Sequence, residues 1–359
     1  MENTDEKEKG DMKITFFSTR LGNKFFFISN LTEWHFSSRK AFNRVWLQQT
    51  GPFTDEEKKA LHAMTVILAK YRFGNRKKHW RYLGEFFMAL PESRVWPRVR
   101  RQVTNREFKS LEKIFDVFEP RFAKIWKGEE KNIQTAQKTF GAAIRHKRFL
   151  PLVRDLYILF RKNLLKERLT VLVCLRPKEL PWYIGGGSAI FGKNRFSLEA
   201  GDVNPKRKLR LRKMLSIFFH EATHAALAAP AFERKIERFL RTTPHGLLKS
   251  NPLAKQGHSP YTILNEGIVS SLFSLGYLDE KYFHAKLDKT YKRSFSHGVT
   301  KKRQAEFHAW RMFAAYHLRP LLIEYLKRKA PLDTGYIKAT FDLFQRFSRR
   351  TTRTTRSSP

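Results

Sequence analysis

Apolar and polar positions along the chain follow two periods, and the character of the pattern changes near residue 165. At the start, Lys13–Thr19 and Lys24–Ser29 are β-prone runs separated by Gly22-Asn23, which predicts a hairpin. Helical spacing follows. Thr54-Asp-Glu-Glu57 has the form of a capping box ahead of Ala60, Leu61, Met64, Ile67, Leu68 and Tyr71. Thr104-Asn-Arg-Glu107 repeats the device ahead of Phe108, Leu111, Phe115 and Phe118, with Pro120 as the expected stop. A third helical stretch covers 139–165, interrupted or bent at Pro151.

Beyond it, Leu169–Leu175 is a β-branched-rich strand and Pro177–Pro181 a turn. Trp182–Phe191 is extended and interrupted by glycines, and Phe196–Glu199 is a further short strand. Helical spacing returns in Met214–Leu227, Phe232–Leu240, Tyr261–Leu272 and Ala305–Leu318, and no internal repeat is present. The pattern therefore predicts an α+β chain, mostly helical, with a small sheet before the helix at 214–227. The expected organisation is a disordered tail over 1–11 and a mainly helical region with a hairpin over 12–165. A chemistry-bearing domain over 166–345 and a basic disordered tail over 346–359 complete it.

Composition alters this picture in a few respects. Hydrophobic residues make up 41% and aromatics 14%, enough for a sizeable core, and the 32 phenylalanines point to helices packed with aromatic bulk. Cys174, the single cysteine, lies in an apolar strand, which excludes an in-chain disulfide and a cysteine-rich zinc knuckle. Met1–Asp11 has no apolar core of a secretory signal, and no run of about 18 apolar residues occurs, so a cytoplasmic protein without a transmembrane segment is expected. The formal charge of +38 makes an anionic partner, nucleic acid or an anionic surface, a candidate. Lys206–Lys213 is the densest basic run, read first as a solvated approach to the helix that follows it.

That helix carries the chemistry. In His220-Glu221-Ala222-Thr223-His224 the histidines are four apart, so a helix projects both from one face and two imidazoles can meet one Zn²⁺. Glu221 stands beside the first histidine, where its carboxylate can serve as general base. Leu215, Ile217, Phe218, Phe219 and Ala222 make the helix apolar, and burying two histidines and a glutamate without a partner is costly. One Zn²⁺ per chain is the expected cofactor. A catalytic zinc needs a third protein ligand. The metzincin pattern fails, because Leu227 and Pro230 stand where it needs glycine and histidine. Glu266 ranks first as a lone carboxylate among Ile263, Leu264, Ile268, Val269 and Leu272, with Glu233, His245 and His258 as alternatives.

His220-Glu221-x-x-His224 followed by Leu264-Asn265-Glu266-Gly267 resembles the gluzincin metallopeptidases, above all their aminopeptidase-N-like branch and more distantly the thermolysin-like families. The resemblance covers two helices, and Glu266 follows His224 by 42 residues, about twice the family's separation. It implies a zincin-like catalytic part with His220, His224 and Glu266 as zinc ligands, Glu221 as base, and a peptide or protein substrate. It further implies that Asn265 and Ser270 orient the ligands. By the same analogy, Gly186, Gly187 and Ser188 would form a substrate-binding edge strand, and Tyr316 or His317 would stabilise the oxyanion. A basic nucleic-acid- or envelope-binding protein with a structural or vestigial zinc site is the alternative. Glu221 separates the two, since a structural site has no use for a base.

Overall fold

A computed structural model describes residues 13–34, 38–71, 83–144, 149–162, 167–180, 186–188, 194–200, 208–227, 230–243, 253, 258–273, 276–284 and 303–354. The fold is α+β and mostly helical, and the chain forms two compact units. One comprises residues 14–144 and 169–211; the other comprises 1–13, 145–168 and 212–359. The units do not follow the expected break near 165. The strand-rich stretch after that point belongs with the N-terminal helices.

In the first unit, β1 (Lys13–Phe17), β2 (Arg168–Leu175), β3 (Gly187–Ser188) and β4 (Arg195–Ala200) form one sheet in the order β1-β2-β4-β3. β2 and β4 run parallel, with Val171 opposite Phe196 and Val173 opposite Leu198, and β3 is antiparallel to β4. Polar side chains tie this sheet to the helices before it. Asn23 accepts from the Leu175 amide at 2.7 Å, Arg195 donates to Glu85 at 2.8 Å, and Arg39 donates to Glu199 at 3.1 Å. The small sheet does precede the 214–227 helix in sequence, but it clusters with the first unit rather than with that helix.

The helices of this unit are α1 (Arg20–Leu31), α2 (Lys40–Thr50), α3 (Asp55–Lys70), α4 (Leu83–Ala89), α5 (Glu92–Arg100) and α6 (Asn105–Ile144). The expected hairpin at Gly22-Asn23 is corrected: those residues lie in the first turn of α1. Thr19 caps the helix by accepting from the Gly22 amide at 3.0 Å. Asn23 donates to the Thr19 carbonyl at 2.9 Å instead of turning the chain. Phe25, Ile28 and Leu31 are buried at helical spacing, and this longer pattern outweighs the local alternation of Phe25 and Phe27.

Both capping boxes form. Thr54 and Glu57 exchange bonds of 2.8 and 3.2 Å, and Thr104 and Glu107 bonds of 2.9 and 3.3 Å. Pro120 does not stop its helix, which runs for 40 residues through it. An interior proline costs about 3 kcal/mol, whereas each buried Phe contributes about 1.5–3 kcal/mol. Phe118, Phe122, Ile125, Ile133 and Phe140 all lie buried along one continuous face, so burial prevails.

The described part of the second unit is mostly helical: α7 (Leu150–Phe160), α8 (Lys208–Leu227, in this unit from Arg212 on), α9 (Pro230–Thr242), α10 (Pro260–Leu272), α11 (Tyr277–Phe283), α12 (Arg303–His317), α13 (Arg319–Lys327) and α14 (Thr334–Thr354). Pro151 sits in the first turn of α7, where a missing amide is harmless, rather than bending a longer helix. Phe344 and Phe347 are buried, and α14 continues to Thr354 across much of the stretch expected to be a disordered tail. The expected tail over 1–11 and residues 355–359 lie outside the described residues. No helix among the described residues is long and apolar enough to cross a membrane.

Candidate metal centre

α10 is the central helix of its unit, packed against α9, α11, α12, α13 and α14. Ser259 caps it by accepting from the Thr262 amide at 3.1 Å, with Pro260 in its first turn. Eight apolar or small residues of Ile263–Leu272 are buried, together with Asn265, which leaves Glu266 as the only carboxylate of the helix. From Met214 to Thr223 every residue of α8 is buried. Leu215, Phe218, Phe219 and Ala222 are fully buried, and His220 and Glu221 are buried among them.

These two helices bring His220, His224 and Glu266 together. The imidazole Nε2 atoms stand 3.2 Å apart. Glu266 Oε1 is 3.4 Å from His224 Nε2, and Oε2 is 3.8 Å from His220 Nε2. Four-coordinate zinc with arms of about 2.0–2.1 Å separates its ligand atoms by about 3.3–3.4 Å. The His220–His224 and His224–Glu266 distances are close to that, and one ligand atom from each of the three residues lies within 4.8 Å of the others. Glu266 Oε2 is buried and accepts no hydrogen bond. Its charge is met by an ion pair with Arg311 at 3.3 Å, and a buried carboxylate oxygen that still lacks a hydrogen bond has room for a further electropositive partner. The donor set of two imidazoles and a carboxylate suits zinc, and this is the only such group among the described residues. The alternatives fall elsewhere: His258 stacks on Phe307 at 4.2 Å, Glu233 lies on α9 outside the group, and His245 lies outside the described residues.

Asn265 fixes the tautomer of His224. Its Oδ1 lies 2.5 Å from His224 Nδ1, so Nδ1–H donates and the Nε2 lone pair is turned toward His220 and Glu266. Burial, with Arg311 and His224 nearby, drives the His220 pKa well below the ordinary imidazole value and keeps its lone pair available. Burial also opposes charge on His224, but Glu266, Glu221 and Asn265 carry its pKa upward. Burial works against the Glu266 carboxylate too, yet Arg311 and the two imidazoles hold it far below the usual range. Glu266 is therefore ionised.

Arg311, on α12, is the residue that sequence reasoning missed. Its Nε is 3.3 Å from Glu266 Oε2 and donates to Ser270 Oγ at 3.0 Å, and its Nη2 is 3.4 Å from His220 Nε2. Ser270, expected to orient a ligand directly, thus acts on the arginine beside the ligand. The helices meet closely here because of Gly267. A Cβ at that position would fall 2.6 Å from Trp310 Cζ2, and Trp310 donates to the Ile263 carbonyl at 3.1 Å. With Trp310 seated on Gly267, the next residue of α12 is brought beside Glu266. Its sequence signal is a lone cation in Ala309-Trp310-Arg311-Met312-Phe313-Ala314-Ala315.

Tyr316 and His317 share this helix but not this face. At about 100° per residue they point roughly 140° and 120° away from Arg311. Tyr316 is 38% exposed, and His317 packs on Phe313 at 4.2 Å between ring centres. Gly187 and Ser188 form β3, the last strand in the sheet order, and belong to the first unit. At Gly186 the close approach is by an arginine: a Cβ would lie 2.6 Å from Arg39 Nη2. Of the basic run, Arg212 is exposed, whereas Lys213 is partly buried and desolvation lowers its pKa.

No protein-family model, curated protein or solved structure matches the chain.

Proposed function

We propose that the chain is a zinc-dependent peptidase of the gluzincin type, with His220, His224 and Glu266 holding one zinc ion and Glu221 as general base. The observation that carries this reading is the convergence of two imidazole nitrogens and an ionised carboxylate on separations of 3.2–3.8 Å. A zinc ion so held supplies a Lewis acid that polarises a carbonyl and lowers the pKa of a water to about 7. The protein's own groups do the rest. Asn265 holds His224 in the binding tautomer, and Arg311 keeps Glu266 charged. Glu221 takes a proton from the attacking water as its oxygen bonds to the peptide carbonyl carbon. The same proton passes to the departing nitrogen as the C–N bond breaks, giving a carboxylic acid, an amine and a regenerated base; the acid's remaining proton then passes to the amine or to solvent.

Metal analysis of the purified chain tests the first part: one equivalent of zinc is expected, falling sharply in His220→Ala and Glu266→Ala. Unchanged zinc in Glu266→Ala would remove the third ligand. Glu221→Gln should keep its zinc and lose hydrolysis of a peptide library, and equal turnover by that variant would remove the peptidase reading.

A second reading is favoured by a stripe on α5, where Arg94 and Arg98 are exposed one turn apart and Arg101 continues the face at its end. With the net charge of +38 it suits a nucleic acid or an anionic surface. Steeply salt-dependent DNA or RNA binding by a zinc-free variant supports it, and binding indifferent to salt sinks it.

A further inference from the structure

We propose that Arg311 is the group that meets negative charge forming on a substrate oxygen at this centre, the role sequence similarity assigns to Tyr316 or His317. The inference rests on the zinc-peptidase reading. A hydrolysed carbonyl develops an anionic oxygen, and the site must present a donor to it that is already in place. Tyr316 and His317 project from other faces of α12. Arg311 projects toward the centre and touches two of its three corners, Glu266 through Nε and His220 through Nη2.

Its anchoring supports the role. Nε donates to Ser270 Oγ, a fully buried hydroxyl, and is ion-paired with Glu266 Oε2 at 3.3 Å, so the guanidinium is anchored along one edge. The Nη2 group lies against the His220 Nε2 lone pair at 3.4 Å. A lone pair that binds a metal cannot also accept an N–H. Loading the site therefore takes that acceptor away while the Nε anchor stays, and the displaced donor sits beside His220 where an anionic oxygen can accept from it. A guanidinium suits this because its charge is permanent and its N–H groups form a planar fork. The side chain is three-quarters covered, which strengthens its electrostatic reach.

Cobalt(II) in the full chain, followed by its d–d absorption, gives a readout independent of turnover. The loaded protein is titrated with sodium azide, an anion, and separately with imidazole, a neutral ligand. Arg311→Met should weaken azide by about tenfold or more and leave imidazole within about twofold, because only the anion uses the guanidinium. Arg311→Lys, which keeps the charge but not the fork, should fall between; it is measured alongside so that a folding defect in the first variant does not decide the matter. Azide affinity unchanged in both variants overturns the proposal. So does equal weakening of azide and imidazole, which would make Arg311 only a prop for Glu266. A wild-type chain that takes up no cobalt at His220, His224 and Glu266 overturns the metal-centre reading itself, whereas loss of the azide effect with cobalt bound overturns Arg311 alone.

Discussion

Arg121 and Arg311 each pair with a glutamate inside their own compact unit, yet the two pairs are finished differently. Arg121 donates Nε and Nη2 to the two oxygens of Glu57, each at 2.7 Å, and its remaining N–H groups reach the Gly51 and Pro52 carbonyls and Thr50. Both side chains are less than a tenth exposed. Burial opposes the Glu57 charge, but Arg121 and the Thr54 cap pull its pKa below the ordinary value. The carboxylate is met on all sides, and the pair ties the α2–α3 turn to the middle of α6. Glu266 also has an arginine, at 3.3 Å, but its Oε2 accepts no hydrogen bond and both its oxygens face imidazole nitrogens. The first pair is complete as it stands. The second is open: Arg311 contacts both Glu266 and His220, and the two imidazoles and the carboxylate still converge, an arrangement that fits the proposed metal site.

Removing one member of each pair should separate these roles. Arg121→Met leaves a buried carboxylate without its partner and should cost about 3–5 kcal/mol in urea denaturation. Replacing both members, Arg121→Met with Glu57→Leu, should recover most of that loss. A single-variant cost below about 1 kcal/mol would mean the pair is not the clasp described. Ligand linkage gives the next largest effect. Zinc at a hundredfold excess over its dissociation constant should stabilise the wild type by about 2.7 kcal/mol. Thermal unfolding with and without zinc should show this gain in Arg121→Met and not in Glu266→Gln. An equal gain in Glu266→Gln would erase the distinction between the two pairs.

How much of this was readable beforehand depends on how locally each feature is encoded. The His220–His224 pairing follows from helix periodicity alone, and Glu266 stood out as an acid in an apolar run. The capping boxes at Thr54 and Thr104 were legible for the same reason, since donor and acceptor are three residues apart. Arg311 was not legible, because what gives it a role is Glu266 on another helix 45 residues earlier. Nothing in α12 alone separates it from a snorkelling surface arginine. Gly22-Asn23 misled because a turn dipeptide and a capped helix start share a composition, and the choice is made by Leu31 and by the Leu175 amide that Asn23 meets. Pro120 misled because the apolar face that carries α6 past it extends far beyond the proline. The sheet was recognisable strand by strand, but its membership in the first unit is set by Arg39, Glu85 and Asn23, all distant in sequence.

Gly267 tests whether the open pair depends on helix approach. A methyl group there meets Trp310 at 2.6 Å and Thr340 at 3.1 Å, so Gly267→Ala must push α12 outward. The expected cost is about 1–3 kcal/mol of stability, with zinc affinity reduced because Arg311 and Glu266 shift together. Equilibrium denaturation and zinc competition with a chelator measure the two effects. Undiminished stability together with undiminished affinity would show that the close contact does not set the site.

The smallest expected effect concerns a third glutamate, finished like Glu57 but nearer the surface. Glu107 receives the Thr104 amide and hydroxyl, the Lys70 ammonium and the Tyr71 hydroxyl. Burial works against its charge, yet these donors hold its pKa down to about 2. An unfolded glutamate titrates near 4.3, so the folded chain binds this proton less readily than the unfolded chain does. The stabilisation is therefore fully present above about pH 4.3 and is lost as the pH falls toward 2. Glu107→Gln keeps the cap geometry without the charge, and should be less stable by about 1 kcal/mol at neutral pH, since the ion pair is partly solvated. The melting temperatures of wild type and variant should converge as the pH is lowered from 5 toward about 2.5. Parallel curves over that range would show that the Glu107 charge adds nothing to the cap, and that completeness of donors, the property separating Glu57 from Glu266, does not by itself stabilise a carboxylate in this fold.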